Sequence, residues 1–162
     1  MDYGIIKTNS LLQGNVTKMI KMTHKQNITL PEIFDYMNEQ ETQDDKLQVL
    51  SLYKNMKQMK WLVNAMYNYD FTGFEIPDYT PNMSPPGLAQ TINNNLSRLE
   101  SAIKLNQMGK IDRYNDVMSI VLSNVSRQES LLLERILLNK KVEGVSKAMW
   151  KKIYPEFFRT EA

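Results

Sequence analysis

The chain has 162 residues, 42% of them apolar and 23% charged, with a formal net charge of +2 at pH 7. That is enough chain for one domain with its own core, and too little net charge to imply a nucleic-acid or membrane partner. With no cysteine and a single histidine, His24, disulfides, thiolate nucleophiles, Cys-ligated metals and His-rich metal sites are excluded, and most Ser-His catalysis with them.

Six glycines and six prolines are few for this length and predict an all-α fold of long helices rather than a sandwich or barrel. No apolar run approaches membrane-spanning length, and residues 1–10 lack the basic-then-apolar order of a signal peptide. A cytoplasmic protein with no membrane partner is expected, and the absence of cysteine fits a reducing compartment.

The first predicted helix covers 9–26, with Leu12, Val16, Met19, Ile20 and Thr23 on one face and Lys18, Lys21 and Lys25 mostly off it. Gly14 weakens it by about 1 kcal/mol relative to alanine. His24 lies beside the stripe near the helix end and is read as structural or solvated, because a lone imidazole has no second histidine with which to hold a metal. Thr29-Leu30-Pro31-Glu32 reads as a capping box that starts a short helix with Ile33, Phe34 and Met37 inward. The acidic run after it, ending in Asp44 and Asp45, reads as an exposed turn that places negative charge at the next helix N-terminus.

The longest predicted element is a single helix over 44–70. Val49, Leu52, Met56, Met59, Val63 and Met66 recur at spacings of three and four, the seam of a packed rod. The methionines on that seam are read as core rather than as a partner groove. Residues 71–86 have no period and contain Pro77, Pro81, Pro85 and Pro86 among Phe74, Ile76, Tyr79 and Met83. They predict a long crossover packed along the protein, and hence a bundle whose second and third helices run in the same direction.

Two further helices are predicted, over 88–108 and, capped by Asp112, over 112–139. The stripe of the first is Leu88, Ile92, Leu96, Leu99 and Ile103; that of the second is Tyr114, Val117, Val121, Val125, Leu132 and Ile136. Gly109 joins them as an antiparallel hairpin. Ser146 caps a last helix with a dense apolar face of Met149, Trp150, Ile153, Tyr154, Phe157 and Phe158, which either docks on the bundle or binds a protein partner or a second copy. The whole chain, 1–162, is one helical domain: N-terminal helices over 1–43, a core over 44–139 and a C-terminal segment over 140–162.

Two carboxylates fall on or beside apolar stripes, Glu100 between Leu96 and Ile103 and Glu129 between Val125 and Leu132, where an isolated charge is costly and calls for a partner. The hairpin that carries them resembles the C-terminal half of ferritin-like and rubrerythrin-like bundles, in which a helix bearing one Glu is followed by a helix bearing Glu-x-x-His. Glu100 takes the first place, and Ser126-Arg127-Gln128-Glu129-Ser130-Leu131-Leu132 the second. Met66-Tyr67-Asn68-Tyr69-Asp70-Phe71-Thr72-Gly73 is similar to the LY-x-x-LTG ending of the earlier helix in that family.

The resemblance implies a ferritin-like up-down helical bundle with a long crossover and accessory terminal helices. Carried over by position, it puts Lys57 and Lys60 where the first Glu and His would stand, and Leu132 where the second His would stand. A dinuclear site needs about four carboxylates and two imidazoles, so the resemblance implies a metal-free relative with no cofactor and no catalytic residues. Lys57 and Lys60 then either pair with Glu100 and Glu129 at the vestigial site or snorkel into water. Some ferritin-like bundles serve in spore coats, and a coat-type structural or interaction role is one form of this expectation.

The alternatives are a di-iron or di-manganese oxidoreductase and a nucleic-acid-associated protein. The second rests on Lys140, Lys141, Lys147, Lys151 and Lys152 beside Trp150 and Tyr154, diluted by Glu143, Glu156 and Glu161. No Gly-rich phosphate loop, P-loop or nucleophile elbow is present.

Overall fold

The computed structural model describes residues 28–85 and 87–159, and Thr29 opens the first helix among them. The predicted helix over 9–26 and its His24 lie outside the described residues. The described chain is all-helical, with seven α-helices and two short 3-10 helices. Among the described residues no helix is long and apolar enough to cross a membrane.

Helix α1 spans Leu30–Asn38 and starts on the expected capping box. The Glu32 carboxylate accepts from the Thr29 amide at 3.1 Å and from its hydroxyl at 2.9 Å, so an otherwise orphaned donor at the helix start is satisfied locally. Helix α2 spans Gln43–Leu52, where the Thr42 hydroxyl accepts from the Asp45 amide at 3.1 Å and Asp44 and Asp45 fill the first turn.

The rod predicted over 44–70 is two helices. α2 stops at Leu52, a tight turn follows, and α3 spans Lys57–Asn68. In the turn Tyr53, Lys54 and Met56 donate to the carbonyls of Leu50, Ser51 and Tyr53. The Lys54 carbonyl is taken by the Tyr154 hydroxyl at 2.7 Å. Val49, Met59, Val63 and Met66 are buried, but Leu52 is 43% exposed. The three-and-four spacing survives because the four-residue turn is close to one helical repeat, about 3.6 residues.

Beyond α3 the aperiodic segment packs along the protein as expected. Phe71 and Phe74 are buried, edge to face at 5.1 Å, and Phe74 meets the Tyr114 ring at 5.5 Å. The Tyr114 hydroxyl donates to the Glu75 carbonyl at 2.7 Å, while Asn82 Nδ2 and the Gln90 amide donate to the Asn124 carbonyl at 3.3 and 3.0 Å. The crossover therefore runs beside the helix over Ile111–Asn124 from its first turn to its last. An isolated parallel bridge between Gln90 and Val125 ends that run.

The helix predicted over 88–108 begins later. A 3-10 helix over Ile92–Asn95 leads into α4, Leu96–Gln107, and Leu88 is 79% exposed. Asparagines cause the delay: Asn94 Oδ1 accepts from the Thr91 amide and hydroxyl, and the buried Asn95 donates to the Thr91 carbonyl at 2.9 Å and to Gln90 Oε1 at 3.1 Å. Such local bonds compete with the helical ladder. Gly109, at φ +78, ends α4 as expected and turns the chain into α5, Ile111–Asn124, which packs back along it. Asp112 does not cap α5 but lies in its first turn, after Lys110.

The helix predicted over 112–139 is also two. α5 ends at Asn124, and α6 spans Arg127–Leu137 with Ser126 as its cap. The reason is tertiary, since the terminal Asn124 carbonyl is claimed by the crossover. The predicted stripe still points inward: Tyr114, Val121, Val125, Leu132 and Ile136 are buried and Val117 packs against them. Helix α7, Lys147–Ile153, has the predicted Ser146 cap, which accepts from the Met149 amide at 3.2 Å, and a 3-10 helix over Pro155–Phe158 follows it.

Candidate functional site

Glu129 is fully buried in the first turn of α6. Its carboxylate accepts from the Ile92 amide at 2.8 Å and from the Ser126 hydroxyl at 2.9 Å, while the Ser126 oxygen accepts from the Glu129 amide at 3.3 Å. One carboxylate thus ties the start of the 3-10 helix before α4 to the start of α6. Burial raises its pKa against the lowering effect of the Ile92 and Ser126 hydrogen bonds, and the Glu32 charge adds to the rise.

Glu100 has different partners. It is half-buried on α4 and accepts from the Tyr69 hydroxyl at 2.6 Å and the Trp61 indole N–H at 3.3 Å. Burial first, then the bond to Glu100, pushes the Tyr69 phenol well above its usual range. The two halves of the sequence resemblance meet in this contact, since Tyr69 belongs to the first and Glu100 to the second.

Lys57 and Lys60 are exposed on α3, and the donors to Glu100 and Glu129 are other groups. Of the two alternatives for these lysines, pairing with the glutamates or reaching into water, the structure has the second, since both lie on the solvent side of α3. Leu132 is part of the core. Among the described residues no group of three or more His, Cys, Asp or Glu side chains is arranged to hold a metal ion.

A further polar cluster was not singled out by the sequence. The Tyr79 hydroxyl, on the crossover, donates to Glu134, and Arg127 Nη1 donates to the Tyr79 oxygen at 2.8 Å and lies 3.7 Å from Glu134. Ser130 accepts from Arg127 at 3.3 Å. Burial, then the Glu134 carboxylate, raises the Tyr79 pKa. Ile76, Pro77, Asp78 and Pro81 complete a cavity of about 290 Å³ beside it. The available signal was the spacing of Arg127, Ser130 and Glu134 on one polar face of α6, but nothing local linked it to Tyr79. The Tyr79 hydroxyl and the Arg127 guanidinium are thus engaged with Glu134 and with each other, and the cluster latches the crossover to α6.

The C-terminal apolar face docks on the body of the chain. Met149, Trp150, Ile153, Tyr154 and Phe158 are buried, and Phe157 packs against them. Trp150 meets Phe34 edge to face at 6.3 Å, and Phe158 lies 5.0 Å from Tyr67. Lys141 donates to the Met66 carbonyl and sits 4.9 Å over the Tyr67 ring, and burial, then the Lys147 charge, lowers its pKa. Lys140, Lys151 and Lys152 are exposed, but the two aromatics beside them, Trp150 and Tyr154, are inside. In comparisons with protein-family models, curated proteins and solved structures, none matches this chain.

Proposed function

We propose that this chain is a non-enzymatic structural or protein-interaction domain, ferritin-like in fold and without a dinuclear metal centre. The observation that carries the reading is how the inward-facing polar groups are used. Glu129, Glu100 and the Tyr79, Arg127 and Glu134 cluster each spend their hydrogen bonds on joining two elements of this chain. The ferritin-like part rests on the sequence resemblance and on the Tyr69 to Glu100 contact between its two halves. A cytosolic setting suits a chain with no cysteine.

Elemental analysis of the purified protein, before and after aerobic exposure to Fe(II) or Mn(II), tests this. The expected result is no stoichiometric metal; about two equivalents of iron or manganese per chain would instead overturn the metal-free reading in favour of the di-iron or di-manganese alternative.

A further inference from the structure

Along the crossover, none of the successive side chains from Asp78 to Pro85 is buried. Among the described residues, no backbone group of this run bonds to a helix. The fixed points lie to either side. Phe74 and Pro77 are buried before the run, and Thr91 and Ile92 are buried after it, with the Ile92 amide held by Glu129.

Two side chains hold the run down. The Tyr79 hydroxyl donates to Glu134 and accepts from Arg127 at 2.8 Å, and Asn82 Nδ2 donates to the Asn124 carbonyl at 3.3 Å. Beneath Tyr79, the cavity between Ile76, Pro77 and Pro81 on one side and Arg127 and Glu134 of α6 on the other takes the place of close packing. A segment that is tied by a few polar bonds above a cavity gives up little apolar burial or dispersion when it lifts. The helices on either side of it give up their core.

We propose that residues 78–85 form a strap that opens and closes as a local unit while the helices stay folded, with Tyr79 as its latch. Closed, the strap sets the Tyr79 hydroxyl on Arg127 and Glu134; open, it leaves that charged pair of α6 free to take a different partner.

Because the chain has no cysteine, one engineered thiol reports the opening. Ser130 is 0% exposed, accepts from Arg127 at 3.3 Å and is in hydrogen-bond contact with Tyr79, so it lies under the latch. Ala102, also 0% exposed, sits in the core face of α4 and serves as the comparison. In the full-length protein, Ser130→Cys is expected to react with an aromatic disulfide reagent at a rate almost independent of dilute urea. Ala102→Cys is expected to react only through global unfolding, with a steep urea dependence.

Tyr79→Phe removes only the latching hydroxyl and should speed labelling of Ser130→Cys about tenfold. Tyr154→Phe weakens the body of the chain away from the strap; it should speed labelling of Ala102→Cys about fivefold and leave that of Ser130→Cys unchanged. Labelling of both thiols with the same steep urea dependence would overturn the proposal, as would no response of Ser130→Cys to Tyr79→Phe. Labelling of Ser130→Cys at the rate of a free thiol would overturn it too, since no closed state would then exist. Limited digestion of the cysteine-free chain by a broad-specificity protease is a second readout, with cuts mapped by mass. Cuts within 78–85 at a rate insensitive to dilute urea and raised by Tyr79→Phe are expected; cuts there only after global unfolding would equally sink the strap.

Discussion

At Glu129 a carboxyl group is fully enclosed and answered by two neutral donors, the Ile92 amide and the Ser126 hydroxyl. Because its folded pKa is raised above the ordinary 4.5, the folded state holds this proton more tightly than the unfolded chain does. Its contribution is greatest in acid and is lost as the pH rises from that ordinary value through the raised one. Glu129→Gln keeps an acceptor for Ile92 and removes the charge. It is expected to flatten the pH dependence of unfolding in that window and to leave the neutral-pH melting temperature unchanged or higher. Glu129→Ala instead strands the Ile92 amide, and should cost about 2–3 kcal/mol in urea unfolding at neutral pH.

Tyr114 shows the opposite case, a buried group that stays neutral. Its phenol is pushed up to about 12, by burial first and then by the Glu75 charge, while it donates to the Glu75 carbonyl. The buried carboxyl at the start of α6 therefore makes stability depend on pH, and the phenol that anchors the crossover stays neutral across that window.

At the scale of the element, the two long rods predicted from periodicity are each broken, and in both cases a distant group takes a carbonyl at the break. The Tyr154 hydroxyl takes that of Lys54, and the crossover takes that of Asn124. Tyr154→Phe removes only that hydroxyl, and is expected to cost about 1 kcal/mol and to speed amide exchange in the turn between α2 and α3 while leaving α1 unchanged. The glycine at position 144 is a local counterpart. It holds φ +87, and the space a Cβ would need is taken by the flexible end of the exposed Asn38 side chain, which can turn aside. Gly144→Ala therefore costs mainly the backbone strain of that positive φ, and should lower stability by about 1–2 kcal/mol in urea unfolding.

For the whole molecule, the C-terminal segment is core. Trp150 is fully enclosed against Phe34, and Phe158 covers Tyr67. Trp150→Ala should therefore cost about 3–5 kcal/mol, and deletion of residues 145–162 should abolish cooperative thermal unfolding rather than merely release a partner. A truncated chain with the wild-type transition would show that this layer is dispensable.

What the sequence determined by itself is what short-range physics decides. The all-helical class, the caps at Thr29 and Ser146, the turn at Gly109 and the irregular crossover each follow from backbone preference or from a side chain bonding within its own turn. The inward placement of Glu129 was legible too, because a carboxylate between Val125 and Leu132 shares their face.

Only the tertiary structure decided where the rods break, which donors Glu100 and Glu129 receive, that Lys57 and Lys60 face solvent, and that Tyr79 meets Arg127 and Glu134. The physical reason is one of range. A helical period continues across a turn of about one repeat. The choice between continuing and breaking is then made by hydrogen bonds from residues far away in the chain, whose positions no local pattern encodes.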